Sequence, residues 1–227
     1  MNSLGQYLET KYFYPDDLIA EPFMTNLKAA NRIGTPIRTE NWKSGTKLSE
    51  QKTTFAQDAT TSNLLLPKNI YSAKFPNILP ILANGIGQLE NNITYNQYDD
   101  KGNIQQYTPE SGTPVSIIWG YNKTQPIAKI ENATYSSITS QVANLQSLSN
   151  TGSEVNLIAA LDALRTSLPD AMVSTYTYKP LIGVSTVTDP KGDKITYIYD
   201  SFNRLQNVVD KNGNILSENQ YNYKPQN

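Results

Sequence analysis

Tyr199-Asp200-Ser201-Phe202-Asn203-Arg204-Leu205, with Gly213 eight residues after Leu205, repeats the spacing of Tyr178, Val184 and Gly192 at a distance of 21 residues. A further copy stands upstream as Tyr98, Ile104 and Gly112. A fixed internal period of this kind marks one supersecondary unit used repeatedly, each copy too small to bury an apolar face alone. In Tyr98-Asp99-Asp100-Lys101-Gly102-Asn103-Ile104 the Asp99 side chain can bond backbone two residues on and Gly102 supplies positive φ, so the chain reverses between Tyr98 and Ile104. Asn203 takes the place of Gly102 in the last copy, and Asn is the commonest non-Gly residue at positive φ. A second turn follows each aliphatic position, at Pro109-Glu110-Ser111-Gly112, Asp189-Pro190-Lys191-Gly192 and Asp210-Lys211-Asn212-Gly213, each ending in the Gly that four-residue turns favour. Turns about every ten residues predict antiparallel strands joined by tight connections.

The pattern Tyr-Asp-x-x-Gly-(Arg/Asn)-(Leu/Ile), with a Gly-bearing turn after it, resembles the YD repeat of the bacterial Rhs and teneurin-like proteins. The copy at Tyr98 matches it fully, and the copy at Tyr199 matches with Asn203 for Gly. The copy at Tyr178 departs, with Lys179 for the Asp and its Gly displaced to Gly183. The resemblance spans residues 93–121 and 176–224, and Ala30-Asn31-Arg32-Ile33-Gly34-Thr35-Pro36-Ile37 is similar to a segment common in such proteins. It implies a large secreted or surface shell in which strands wind into a continuous sheet around a cavity, this chain being a C-terminal segment of the repeat region. Asp189-Pro190-Lys191-Gly192-Asp193 looks like the start of the Asp-Pro-x-Gly-Leu stretch at which Rhs-type cores cleave themselves. It lacks the Leu and falls in register with Asp210-Lys211-Asn212-Gly213, so an ordinary repeat turn accounts for it.

Composition suits such a scaffold. The 227 residues are 38% hydrophobic, enough for one or two domains with a core, and only 17% charged. Asn contributes 24 residues and Tyr 15, a polar, uncharged and aromatic balance that fits Tyr-lined sheets and Asn-rich turns. A net charge of −1 with scattered basic residues argues against nucleic acid, which needs a basic stripe. No apolar run approaches the roughly 18 residues of a membrane span. The longest candidates are broken at Pro67, Pro76 and Pro80. Zero Cys removes disulfides and thiolates. Met1-Asn2-Ser3-Leu4-Gly5 has neither the basic start nor the apolar core of a secretory signal, so a secreted or surface location rests on the resemblance; the chain is expected to be either cytoplasmic or a fragment of a longer secreted protein, and a repeat array without polar caps favours the fragment.

Four regions follow. Residues 1–90 form a β-rich segment with a short helix, residues 91–133 a YD-type hairpin repeat, residues 134–174 an inserted αα-hairpin, and residues 175–227 two tandem repeats. In the first, the cluster Tyr12, Phe13 and Tyr14 reads as a strand stopped by Pro15-Asp16-Asp17, and a helix is predicted over 22–31 with Pro22 at its first position. Strands are predicted over 37–43, 46–55, 64–66 and 70–74, with a turn at Ser44-Gly45 and a close at Gly85 to Gly87. The stretch Val115-Ser116-Ile117-Ile118-Trp119-Gly120-Tyr121 alternates so as to put Val115, Ile117, Trp119 and Tyr121 on one face.

Ile138, Val142, Leu145 and Leu148 recur at helical spacing, as do Leu157, Leu161, Leu164 and Leu168, with Thr151-Gly152-Ser153 as linker and N-cap and Pro169 as the stop. A single apolar stripe on each helix predicts a lid packed on the sheet or on the end of the array, the alternative being a docking surface for a partner. The fold class expected is therefore mainly β: antiparallel YD-repeat hairpins forming part of a wound β-sheet shell, with an inserted αα-hairpin and a short N-terminal helix.

With no His and no Cys, Ser-His-Asp and Cys-His triads and His-containing zinc sites are absent. Asp16-Asp17 and Asp99-Asp100 are neighbours that would point to opposite faces of a strand and sit in turn contexts, so capping explains them better than a shared proton. No catalytic residue, cofactor or enzymatic activity is expected, a carboxylate-only hydrolase being the least favoured alternative. Asp210-x-Asn212-x-Asn214 has the first oxygen positions of a calcium loop, but Ile215 stands where the Gly belongs and Tyr221 replaces the bidentate Glu, so a hairpin turn is the expectation and calcium the alternative.

Trp119, Tyr121 and Tyr197, with Tyr176, Tyr178, Tyr199, Tyr221 and Tyr223 nearby on strands, could stack on sugars, which makes a carbohydrate-binding or adhesion module the second function class. Cross-strand aromatic packing is the structural reading of the same residues. The leading expectation is a non-catalytic segment of a shell that encloses, presents or delivers another polypeptide, or mediates cell contact. Its partners would be the remainder of a longer repeat protein, another polypeptide or secretion machinery, with glycans only on the second reading.

Overall fold

The computed structural model describes residues 5, 7–74 and 89–221. The chain divides into two compact units, Met1–Thr113 and Pro114–Asn227. Both are antiparallel β meanders, and the two long helices belong to the second.

The first unit contains β1 (Leu8–Phe13), α1 (Met24–Ala29), β2 (Arg38–Lys43), β3 (Thr46–Ala56), β4 (Leu66–Lys74), β5 (Glu90–Tyr98) and β6 (Ile104–Pro109). Each strand pairs antiparallel with the next. Ser44 and Gly45 both have positive φ and make the two-residue loop between β2 and β3, whose twist matches that of the flanking strands. Residues 64–66 and 70–74 are not two strands. β4 runs unbroken through Pro67, because a bulge in β4 itself, with Lys68 unpaired between Asn69 opposite Thr54 and Pro67 opposite Phe55, accommodates the missing donor. The predicted close at Gly85 to Gly87, and the breaks at Pro76 and Pro80, lie outside the described residues.

The short helix is also narrower than its sequence signals. Pro22 stands before it, and Phe23, at φ 66, turns the chain into Met24. At the other end Asn31 is left-handed, Arg32 N–H donates to the Leu27 carbonyl and Asn31 N–H to that of Lys28. That pair of bonds closes helices whose terminal residue accepts positive φ. Met24 and Leu27 are buried with Ile37 and Phe55, which fixes α1 on the sheet. The β2–β3 hairpin carries a buried charged group: Lys47 bridges Glu40 at 2.7 Å and Glu50 at 2.5 Å, and Trp42 Nε1 donates to Glu40 at 3.0 Å.

The second unit contains β7 (Val115–Gly120), β8 (Gln125–Glu131), α2 (Tyr135–Thr151), α3 (Glu154–Ser167), β9 (Met172–Lys179), β10 (Gly183–Thr188), β11 (Lys194–Tyr199), β12 (Leu205–Val209) and β13 (Ile215–Glu218). The strands again pair antiparallel in chain order, so β8 and β9 are sheet neighbours although the helical hairpin separates them in sequence. Ile138, Val142 and Leu145 of α2 and Leu157, Leu161 and Leu164 of α3 are buried with Ile118, Ile127, Ile130 and Val173 of the sheet. The stripes are core, and the hairpin is a lid on its own sheet. Ser153 caps α3 by accepting from Asn156 N–H at 3.2 Å, while Thr151 belongs to α2.

In β7 the side that carries Ile118 packs on the helices, although Val115 on the other side is buried too. Ile118 is fully buried against the helices, whereas Ile117 and Trp119 are half-buried and Tyr121 has left the strand at φ 51. The lid decides which side of an alternating strand is core, and it lies over Gly120, where a Cβ would overlap Ser149 and Ile127.

Candidate functional site

Asp99, Asp189, Asp200 and Asp210 open loops of one geometry. Each Asp N–H donates to the carbonyl four residues on, and the N–H three residues on donates back to the Asp carbonyl. Each carboxylate Oδ1 accepts from the N–H groups two and four residues on, within 2.8–3.0 Å. The residue three on is left-handed: Gly102, Gly192, Asn203 and Gly213, at φ 82, 87, 61 and 85. This is the three-residue hairpin loop built on a type I turn and closed by a left-handed bulge residue. The Tyr-Asp turn and the Gly-bearing turn after it are thus one device, used at both turns of the copy at Tyr199 and at one turn of each other copy, which the pattern Asp-x-x-(Gly/Asn) alone would have revealed. Gly112 keeps the φ of 80 and the bond to the Pro109 carbonyl without the Asp.

The carboxylates are consumed by these loops. The Arg204 side chain, then its backbone N–H, holds the Asp200 carboxyl below its usual range. Asn214 does the same for Asp210 through its carboxamide and then its backbone N–H. Asp210 Oδ2 accepts from Asn214 Nδ2 at 2.8 Å, so both oxygens of the calcium-like stretch already serve the turn. Among the described residues no group of three acidic side chains is placed to hold a metal.

The repeat tyrosines form a second set of bonds. Tyr98 Oη donates to the Pro67 carbonyl at 2.7 Å, Tyr178 Oη to Pro126 at 3.1 Å, Tyr199 Oη to Val184 at 2.9 Å and Tyr221 Oη to Leu205 at 2.9 Å. Each ring reaches back to the hairpin before it, and the last two end on the aliphatic positions of the preceding copies. Burial pushes the Tyr98, Tyr178 and Tyr199 hydroxyls above the ordinary phenol range. Tyr223 lies outside the described residues, and Tyr197 is half-buried on β11.

Gly183 is not the displaced turn glycine. Leu181 takes the left-handed position, at φ 64, behind Pro180 in a turn closed by Ile182 N–H to the Lys179 carbonyl at 3.0 Å. Gly183 is small for another reason, since a Cβ there would overlap the Tyr199 hydroxyl.

These departures face a cleft of about 600 Å³ lined by Tyr121, Asn122, Gln125, Tyr178, Leu181 and Ile182 among others. Its upper wall is the β7–β8 loop, where Tyr121, Asn122 and Lys123 are left-handed in succession. That loop is clamped to the end of α2: Ser149 Oγ accepts from Tyr121 N–H at 3.0 Å and Asn150 Oδ1 from Asn122 N–H at 2.7 Å. Tyr121 Oη accepts from Tyr178 N–H at 2.9 Å, and the two rings meet edge to face with centroids 5.5 Å apart. The structure brings Tyr121 and Tyr178 together here. The nearby Trp119 carbonyl accepts from Gln146 Nε2 at 2.9 Å, but Trp119 and Tyr197 do not line the cleft.

Residues 183–215 match the family model of the RHS Repeat. This chain carries an RHS repeat. The matched RHS repeat holds β10, β11 and β12 and the loops opened by Asp189, Asp200 and Asp210. Among solved structures, the TcdB2–TccC3 complex without its hypervariable C-terminal region is similar at 11% identity and a TM-score of 0.40, over 82% of this chain and 9% of that one. A Photorhabdus luminescens Tc holotoxin pore with a mutation in TccC3 is similar at 11% identity and a TM-score of 0.38, over 86% of this chain and 9% of that one. The chain thus spans less than a tenth of the length of these two chains. No curated protein matches it. No helix among the described residues is long and apolar enough to cross a membrane.

Proposed function

We propose that this chain is a non-catalytic structural segment of a secreted or surface RHS-type shell that encloses, presents or delivers another polypeptide, or mediates cell contact. One observation carries the reading: tyrosine hydroxyls tie the tandem copies together through the carbonyls of their aliphatic positions, Tyr199 of the second copy to Val184 of the first, and Tyr221 after it to Leu205 of the second. A motif whose aromatic, acidic and glycine positions are all spent on backbone contacts builds an extensible wall and leaves its signature residues no chemistry to perform. An enzyme would have to work without His or Cys and with carboxylates already accepting from turn amides.

The test has two arms. In the full gene product, protease treatment should leave residues 114–221 in one resistant body together with the polypeptide they hold; rapid cutting within the repeats overturns the reading. On a glycan array the chain should bind nothing, whereas glycan binding that is lost in Tyr121→Ala would put the adhesion module in its place.

A further inference from the structure

The loops on the two sides of the cleft depart from the rule that the Asp-initiated loops obey. At the left-handed position the three Asp-initiated loops of the second unit use Gly192, Asn203 and Gly213, whereas the β9–β10 loop uses Leu181, whose side chain is wholly exposed at 108%. Gly would serve that turn with less strain, and a Leu in solvent stabilises nothing. Opposite it stand Tyr121, Asn122 and Lys123, all left-handed and none of them Gly. Strained backbone residues cluster at ligand clamps, and here they stand on both lips of one cleft.

The shape is elongated. A second compartment of about 390 Å³ shares Tyr121, Ser149, Asn150, Tyr178, Pro180 and Ile182 with the first and extends to Glu154 and Leu157. Two compartments that share the Tyr121–Tyr178 pair as lining suit a linear chain better than a compact molecule. The lining chemistry is mixed. Pro180, Leu181 and Ile182 supply an aliphatic wall, and the carboxamides of Asn122 and Gln125 make no hydrogen bond among the described residues. A carboxamide offers one donor group and one acceptor, the pair a peptide unit needs. Of the two charges, Glu154 accepts from Thr177 Oγ1 at 2.6 Å and Lys179 lies over the Tyr199 ring, so neither calls for an ionic occupant. Tyr121 and Tyr178 present no open flat platform for a sugar, being packed edge to face with both hydroxyls bonded.

We propose that this cleft binds an extended, uncharged polypeptide segment, with an aliphatic or prolyl side chain against Leu181 and Ile182 and peptide groups against Asn122 and Gln125. The proposal rests on the scaffold reading and names where the held polypeptide makes contact.

The experiment uses the purified chain with overlapping peptides tiling the full gene product, and neutral oligosaccharides as the second set of probes. One or more uncharged, aliphatic- or proline-bearing peptides should bind, and Leu181→Asn should weaken that binding roughly tenfold or more while the protein melts no lower, since Asn accepts the same φ. Phe202→Asn, on the β11–β12 loop, should leave binding unchanged. Absence of peptide binding, binding unaffected by Leu181→Asn, or binding of the oligosaccharides instead each overturns the assignment. The protease arm of the scaffold test does not depend on this cleft, so the two readings fail separately.

Discussion

Tyr199 Oη lies 2.9 Å from the Val184 carbonyl, and the Cα of Gly183, next to Val184, has no room for a side chain beneath that hydroxyl. The bond exists because a bulge in β10 between Val184 and Thr186 turns the Val184 carbonyl out of the ladder and toward the following copy. Removing the hydroxyl in Tyr199→Phe should cost about 0.5–1.5 kcal/mol in urea denaturation, the net worth of one such bond. Tyr98→Phe should cost about 1–3 kcal/mol, because that ring is buried and the Pro67 carbonyl would lose its partner out of reach of water. Gly183→Ala should destabilise as well. Its effect should overlap with that of Tyr199→Phe in a double-mutant cycle, since both act on one contact; strict additivity would show that they do not.

Stability should fall at both ends of the pH range, for opposite reasons. Asp200 and Asp210 accept turn hydrogen bonds that hold their carboxyls below the unfolded value, so their stabilisation is complete above about pH 4 and is lost as pH falls through the depressed folded value. Both are exposed, so the acid limb should be shallow, and Asp210→Asn should flatten it further. Tyr98, Tyr178 and Tyr199 carry hydroxyls raised above their unfolded value by burial. Their stabilisation is complete below about pH 10 and is lost as pH rises through the folded value. Phenolate absorbance should therefore contain a component that lags behind that of free tyrosine and rises together with the loss of β-sheet circular dichroism. A smooth titration at the free-phenol position in a folded protein would contradict this.

The strand order, the helical hairpin and the repeat loops were legible because each depends on local chemistry: Asp for the loop amides, Gly or Asn for one left-handed residue, Leu at helical spacing for the lid. What escaped depends on contacts between copies. Nothing local to Val115-Ser116-Ile117-Ile118-Trp119 tells which face the lid will cover, and α2 covers the one holding Ile118. Gly183 resembled a slipped turn glycine because glycine serves both turns and close approaches, and only the position of the Tyr199 ring separates the two. The cleft was invisible for the same reason, since Tyr121 and Leu181 are 60 residues apart and meet only through the β8–β9 pairing.

The helical hairpin should unfold with the sheet. Leu161 is buried in one core with Ile130 and Val173, so Leu161→Ala should cost about 2–5 kcal/mol. In a Trp42→Phe background, helical circular dichroism and Trp119 fluorescence should then be lost in a single, earlier denaturant transition. A hairpin that merely rests on the sheet while awaiting a partner would instead lose helix first and leave the Trp119 signal in place.

Leu181→Gly should make the protein more stable. The left-handed backbone costs an L-residue roughly 1–2 kcal/mol, Gly does not bear that cost, and the fully exposed Leu181 side chain loses no packing when it is removed. Against this stands the greater freedom Gly gives the unfolded chain, about 0.4–1 kcal/mol, so the net gain should be small but positive, near 1 kcal/mol. The same substitution at Ile182, which has no positive φ, has only the unfolded-state cost and the loss of partial burial to report, and should destabilise. A pair of equilibrium denaturation curves decides the matter. A raised midpoint for Leu181→Gly beside a lowered one for Ile182→Gly places the strain at Leu181 alone, and equal losses at both positions would show that the loop holds no strain there.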